Sequence, residues 1–439
     1  MTTTAIQTET PAEEKRRLRK VATATIVGTT VEWFDFYLYA SMASIVIAKV
    51  FFPAGDSQLA TIQASVTFAV GFIARPLGGI IFGAMGDQIG RKKTLIVTFM
   101  LMGISTAIIG ILPTFDAVGY WAPALLLIVR IFQGMGAGAE YAGAAVVSYE
   151  HARSNKRGSQ GAWPALGLNL GLVLSSFTIF LLTLNGDEFL ISGGWRIPFV
   201  LSILLVAVGL WVRRSMPESP EYERLSEAGA KSKRLPFKAL IAKEWRGLLV
   251  VVVLAIGYNA VSYIFKSFSL SYITEYQKTP ANLTASAVTI AGVVAIIAVP
   301  IFGWLCDRFS AKLVIATGAV LSMVFAFPFL ALLESGEPAK IMLAIGIGTG
   351  IVAPMMFSAQ GAFLSRQFPT ETRSSGVGSG REIGTAIGAG LAPTGSLVLV
   401  AASATNATTG VGVVLTIAGL LILIPALLDQ GKRHSTDKN

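Results

Sequence analysis

The sequence predicts an all-α integral membrane protein of twelve transmembrane helices in two pseudo-symmetric six-helix halves. Three observations carry the prediction: a composition too apolar for a soluble fold, twelve membrane-length apolar runs, and a loop motif that returns half a chain later. Of the 439 residues, 53 % are hydrophobic and 14 % charged, against about 25 % charged in an ordinary globular domain. So few charges cannot coat a soluble core of this size. Lys and Arg outnumber Asp and Glu by 35 to 25, for a net charge of +10. A single cysteine, Cys306, excludes an internal disulfide and a Cys-rich metal site. His151 and His434, the only histidines, fall in polar segments, which argues against a His-based metal site or triad.

The elements follow in order. Residues 1–20 are polar and close on Glu-Glu-Lys-Arg-Arg-Leu-Arg-Lys. The apolar run from Val21 is too long for the core of a cleaved signal and lacks a small-residue cleavage site, so it reads as a retained first helix. A helix needs about 20 mostly apolar residues to cross the hydrocarbon. Such runs occur near 21–47, 60–84, 94–113, 122–149, 159–184 and 194–213, then near 247–274, 283–306, 312–333, 338–364, 374–400 and 407–429. Their continuity excludes a membrane β-barrel, which shows alternating segments of about ten residues. The chain thus divides into an N-terminal tail 1–20, a first half 21–213, a central loop 214–246, a second half 247–429 and a C-terminal tail 430–439.

With both termini inside, 27 of the 35 Lys and Arg fall in inner segments and three, Lys49, Lys278 and Lys340, in outer loops. That bias is the positive-inside signature. It makes the excess charge topological and spreads it over seven segments, where a nucleic-acid surface would gather it on one domain. The Gly-rich stretches follow no strand and no phosphate-binding loop is present, so nucleotide binding and ATP hydrolysis are not expected. No nucleophile–base–orienter set appears in the spans, which argues against an enzyme. The repeat has no obvious use in a channel.

The repeat lies in the loops. Gly83-Ala-Met-Gly-Asp87-Gln-Ile-Gly90-Arg91-Lys92-Lys93 follows the second run, and Gly303-Trp-Leu-Cys-Asp307-Arg308-Phe-Ser310-Ala-Lys312 follows the eighth, 220 residues later. The loops after runs four and ten also correspond, placing Glu150 and Arg157 against Glu371 and Arg373. Two parallel halves of this kind suit a transporter whose site lies between them at mid-membrane.

These motifs resemble the major facilitator superfamily. The first loop matches that signature at Gly83, Asp87, Gly90, Arg91 and Lys92, and the second copy departs from it with Ser310 in place of the second glycine. The stretches 31–40, 72–93, 130–144 and 193–203 resemble, more narrowly, the metabolite:proton symporters, which include bacterial permeases for shikimate, α-ketoglutarate, citrate, and proline or betaine. The resemblance covers nearly the whole chain. It implies the major facilitator fold, a monomer in the bacterial inner membrane, no cofactor beyond a proton gradient, and a latch role for Asp87, Arg91 and their flanking glycines in the outward-facing state. Asp307 and Arg308 in the second copy, with Glu150, Arg157, Glu371 and Arg373, carry the same expectation.

Charges kept inside a membrane are functional candidates because inserting each costs roughly 2.5–3.5 kcal/mol. The set is Glu32, Asp35, Arg75, Arg130, Glu140, Lys266, Arg381 and Glu382, four of each sign. Glu32 and Asp35 are three apart and share a helix face. Asp35 is the expected proton carrier, with Glu32 and Glu140 as rivals; the alternative is a permanent ion pair with Arg75 or Arg130. Arg75 and Arg130 offer forked donors for a substrate carboxylate, Lys266 or Arg381 is expected to add to them, and Gln133 shares a face with Arg130. Tyr37, Tyr39, Tyr141, Tyr258, Asn259, Tyr263, Lys266 and Gln360 lie on helices that, by the resemblance, line the cavity. Arg381 and Glu382, as sequence neighbours, are expected to point apart and pair elsewhere. The function read from all this is proton-coupled uptake of a small polar organic acid such as shikimate or a keto-, hydroxy- or dicarboxylate. Zwitterionic osmolyte symport and proton-driven efflux are the alternatives.

Overall fold

A computed structural model describes the chain except residues 1–9, 43–45, 53–56, 185, 228–236, 278–280, 404–406 and 430–439. The C-terminal tail therefore lies outside the described residues. No strand occurs among them. The first six long helices are α1 (Pro11–Met42), α2 (Ser57–Ile89), α3 (Arg91–Ile111), α4 (Trp121–His151), α5 (Trp163–Thr183) and α6 (Arg196–Arg214). The second six are α7 (Phe237–Tyr263), α8 (Ala281–Arg308), α9 (Ala311–Glu334), α10 (Pro338–Ser365), α11 (Arg373–Ala402) and α12 (Thr409–Leu428). Eleven helical spans among the described residues are long and apolar enough to cross a membrane. The twelfth helix, α1, has the length but carries Glu32 and Asp35 in its apolar part.

Helices are the only open-chain solution in lipid, because each satisfies its own backbone groups. Their outer faces confirm the setting: Ile73, Leu77 and Ile81, spaced four apart on α2, are all exposed. Three boundaries differ from the sequence reading. The charged run 13–20 is helical and extends α1 back to Pro11. The central loop contains a short helix, Pro220–Glu227. The segment joining it to α7 is helical from Phe237, with a break at Glu244 (φ −119°, ψ 22°) before the membrane helix proper.

Small residues set how closely the helices approach. A Cβ on Gly138 of α4 would lie 2.1 Å from the Arg75 carbonyl of α2, and one on Gly134 would lie 2.1 Å from the Gly71 carbonyl. The two halves meet along α2–α11 and α5–α8. They also touch backbone to backbone at two glycine pairs, Gly79 with Gly378 and Gly161 with Gly361.

The repeated loop explains its own variation. Gly90, between α2 and α3, has φ 105° and ψ 153°, and a Cβ there would meet the Glu218 carboxylate at 2.2 Å. Its counterpart Ser310 has an extended φ of 175° and caps α9 by accepting from the Leu313 amide at 3.0 Å. The second copy dispenses with glycine because its turn needs no left-handed residue. Gly90→Ala is expected to lower stability by about 1–3 kcal/mol, from the glycine-only backbone region, and Ser310→Ala by about 1 kcal/mol, from the lost cap. Thermal midpoints followed by circular dichroism check both.

Candidate functional site

Two polar networks run through the apolar interior. The first lies within the first half. Asp35 of α1 accepts from the Thr106 hydroxyl of α3 at 2.8 Å, and Thr106 accepts from the Gln133 amide of α4 at 2.7 Å. Gln133 in turn accepts from Arg130, whose guanidinium stacks 3.9 Å from the Tyr39 ring centroid. Tyr39 shares a 2.6 Å hydrogen bond with Thr67. Asp35, Thr106, Arg130 and Gln133 are all buried. Arg130 and Gln133, expected at the substrate, thus belong to the chain of contacts that holds Asp35.

The second network crosses between the halves. Arg75 of α2 binds Glu32 of α1 at 2.6 Å and Glu382 of α11 at 3.0 Å. Glu382 also pairs with its neighbour Arg381. This corrects the expectation that the two diverge: the long arginine side chain folds back over the intervening angle and reaches the carboxylate beside it. Arg381 lies 4.0 Å from the Tyr141 ring centroid, and the Tyr141 hydroxyl accepts from Gln360 of α10 at 2.8 Å. Three helices, α1 and α2 of the first half and α11 of the second, therefore meet on one alternating set of charges, which offsets the desolvation each would suffer alone.

Around this crossing stand the remaining candidates. Tyr37 packs on Trp33 and Phe36, Tyr258 on Phe357, and Tyr263 on Phe72. The Tyr263 hydroxyl, the Trp33 indole N–H and the Gln360 carbonyl oxygen are buried without a hydrogen-bond partner among the described residues, whereas the Tyr258 hydroxyl lies within reach of Arg381 and Asn259. Asn259 is engaged by Thr385 (3.0 Å) and the Ala255 carbonyl (2.9 Å), which tie α7 to α11 and along α7. Lys266 lies in a π-helical turn, Ile264–Phe268, that continues α7, and its ammonium has no ion pair among the described residues.

Glu140 stands apart from both networks. It forms a buried pair with Arg213 of α6, which also donates to the Leu95 carbonyl at 2.8 Å. Neither Arg75 nor Arg130 takes the Glu140 partner role that the sequence left open. Arg213, at the very end of the sixth apolar run, is a last-turn residue of α6 and faces inward.

At the basic end of the bundle the repeated loops meet the opposite half. Asp87 accepts from the Ser374 and Ser375 amides at 3.2 and 2.8 Å and from the Ser375 hydroxyl at 2.5 Å. These amides open α11, where backbone N–H groups and the helix dipole favour an anion. Gly83 permits the approach, since a Cβ there would lie 3.0 Å from the Ser374 carbonyl. Asp307 mirrors this on the start of the helical segment Ser154–Leu182, accepting from the Gly158 and Ser159 amides at 2.8 and 3.1 Å. Arg91 holds Asp87 at 3.2 Å and Glu150 at 3.3 Å and donates to the Thr370 carbonyl at 2.7 Å. Arg373 reaches Glu150 at 2.9 Å and also Glu221. Arg157 pairs with Glu221 at 3.4 Å.

Two expected members are not in this cluster. Glu371 and Arg308 are exposed and make no ion pair among the described residues. The carboxylates that take their places, Glu218 and Glu221, come from the central loop. Glu218 caps α3 through the Arg91 and Lys92 amides at 2.9 and 3.2 Å. Beside it, outside the membrane spans, burial and the Glu218 charge raise the Tyr222 phenol above its ordinary range.

Comparison with known proteins places this geometry. The family description "Sugar (and other) transporter" matches residues 21–240, and "Major Facilitator Superfamily" matches residues 259–439. The chain belongs to the major facilitator superfamily. It is a multi-pass membrane transporter chain of that superfamily, not an enzyme. The shikimate transporter of Escherichia coli K12 is 37 % identical over 380 residues, 86 % of each chain. The E. coli K12 inner membrane metabolite transport protein YhjE is 37 % identical over 424 residues, 95 % of each. The E. coli K12 proline/betaine transporter is 33 % identical over 399 residues, 88 % of this chain and 79 % of that one. Among solved structures, the proton:xylose symporter XylE bound to 6-bromo-6-deoxy-D-glucose superposes with a TM-score of 0.74 at 15 % identity, covering 94 % of this chain and 95 % of that one. At that identity the match shows the fold, and the fold is the twelve-helix facilitator architecture.

Sequence reasoning missed Thr106, Arg213, Glu218 and Glu221. Thr106 sits in an apolar run with no charge to flag it, and Arg213, the last residue of the sixth run, sits beside Arg214 at a basic helix end that looks solvated. Glu218 and Glu221 follow the last span of the first half and look like ordinary solvated linker residues.

Proposed function

We propose that this chain is a proton-coupled symporter that takes up a small polar organic acid by alternating access between its two halves. The carrying observation is the group of buried polar atoms without partners among the described residues, on Trp33, Tyr263 and Gln360, beside the Arg75–Glu382 crossing between the halves. Buried donors and acceptors left unmatched are unfavourable by about 1–3 kcal/mol each, and a hydroxylated carboxylate matches them. Lys266, a cation with no ion pair among the described residues, supplies the complement for an anion. The relatives named for shikimate and metabolite transport support this class. Proton coupling is assigned to Asp35, held by Thr106 within the first half, with both termini cytoplasmic in a bacterial inner membrane and a monomer as the working unit.

A second reading has its own observation. The rings of Trp33, Phe36, Tyr37, Phe72 and Tyr263 form a contiguous aromatic group, which suits a quaternary ammonium through cation–π contact. The relatives named for proline and betaine transport are in keeping with it.

One experiment separates the readings. Vesicles carrying the purified chain are given an inward proton gradient and labelled shikimate, α-ketoglutarate, citrate, proline or betaine. Gradient-dependent accumulation of a carboxylate and not of betaine is expected, and the reverse selects the osmolyte reading. In Asp35→Asn, accumulation driven by the gradient is expected to fall by about 100-fold or more, while counterflow exchange of the same substrate persists. Undiminished accumulation in that variant removes Asp35 from the coupling role.

A further inference from the structure

Between the two polar networks lies a cavity of about 10 Å³, lined by Glu32, Asp35, Arg75, Arg130, Gln133 and Ala137 among others. That is roughly the smallest volume that accommodates one water molecule. Three of the polar side chains on its wall carry a buried atom with no hydrogen-bond partner among the described residues: Asp35 Oδ1, Glu32 Oε2 and Arg75 Nη1. Their other atoms are all engaged, Asp35 Oδ2 by Thr106, Glu32 Oε1 and the remaining Arg75 nitrogens in the crossing network. Two acceptors and one donor around a water-sized space is the complement of a single water, which donates twice and accepts once. A buried water of this kind ordinarily makes about three such bonds.

We propose that this cavity is a site for one ordered water molecule that joins Asp35 to the Glu32–Arg75–Glu382 crossing. The water donates to Asp35 Oδ1 and Glu32 Oε2 and accepts from Arg75 Nη1. Glu32 and Asp35, three residues apart on α1, face the same way and stay on either side of it. When Asp35 is protonated at Oδ1, its O–H bond breaks as the water oxygen gains that proton, and a second water O–H breaks as Glu32 Oε2 is protonated. One proton moves, the water is regenerated, and the carboxylate charge passes from Glu32 to Asp35. Glu32 protonated at Oε2 keeps only a neutral hydrogen bond to Arg75 through Oε1, so the charge balance of the crossing between halves changes with the arrival of the proton. The site thus connects a proton held inside the first half to the contact that the second half shares. This inference rests on Asp35 as the coupling group.

Infrared difference spectra between acid and alkaline states, recorded on the reconstituted chain in H2-16O and in H2-18O, test for the water directly. The parent is expected to show an O–H stretching band that shifts with the oxygen isotope, and Asp35→Asn is expected to move it. Ala137→Val, which fills the cavity without removing a polar group, is expected to abolish the band. It is also expected to reduce gradient-driven accumulation of labelled shikimate by about ten-fold or more relative to counterflow. Ala137→Ser, whose hydroxyl can stand in for the water, recovers most of that loss. No isotope-sensitive band in the parent, a band unchanged in Ala137→Val, or parental accumulation in Ala137→Val with the band gone overturns the proposal. Full accumulation in Asp35→Asn with the band present instead overturns the coupling assignment and leaves the water site standing.

Discussion

Asp87→Asn is expected to release the basic end of the transporter and reduce net transport by about 100-fold while leaving chain insertion intact. The carboxylate accepts two α11 amides and the Ser375 hydroxyl and faces the Arg91 guanidinium. An amide in its place keeps the shape but loses the charge on which all four contacts depend. Charge-assisted bonds contribute about 1.5–3 kcal/mol each, and losing a net ~3 kcal/mol from the closed arrangement shifts the balance of states by roughly 100-fold. Cys306 gives a direct measurement. It is the chain's only cysteine, it is buried, and a Cβ on Gly158 would lie 2.5 Å from its own Cβ, at the matching contact of the repeated loop. Maleimide labelling of Cys306 is therefore expected to be slow in the parent and fast in Asp87→Asn, with substrate affinity near the parent's. Unchanged labelling together with lost transport would place Asp87 outside the latch.

Glu140→Gln is expected to destabilise the fold by about 3–5 kcal/mol, the usual consequence of leaving one member of a buried ion pair alone. Glu140 is fully buried and Arg213 nearly so. The double replacement Glu140→Gln with Arg213→Met removes the stranded charge and is expected to recover most of the thermal midpoint. If the double variant also accumulates substrate against a gradient, Glu140 carries no coupled proton and serves to hold α4 against α6. A stable double variant that exchanges substrate but cannot concentrate it would return Glu140 to the coupling role.

The parts legible in the sequence share a physical reason. Hydrocarbon leaves only helices of a minimum length, so the spans could be read directly. Asp87, Gly90 and Arg91 were legible because a tight turn and a helix-end contact fix both residue type and spacing. The sign and number of interior charges were visible, but their partners were not. Arg75 bonds Glu382, 307 positions away, and Glu140 bonds Arg213, 73 positions away, and no local periodicity encodes such pairs. Arg381 and Glu382 misled for a different cause. Helix geometry fixes where a Cβ points, whereas a four-bond arginine side chain can turn through the intervening angle. Thr106 was invisible because its role comes entirely from what α1 and α4 bring to it.

The two glycine pairs between the halves bear on how the transporter moves. At Gly79–Gly378 and Gly161–Gly361 main chain faces main chain, with the Glu382 and Ala362 Cβ atoms the nearest side-chain atoms. In a carrier whose halves rock against each other, two such close approaches would serve as bearings. A methyl at either contact would stand 2.6 Å (on Gly79) or 2.3 Å (on Gly361) from the facing carbonyl oxygen, so it should push the halves apart at rest and lower the thermal midpoint as well as turnover.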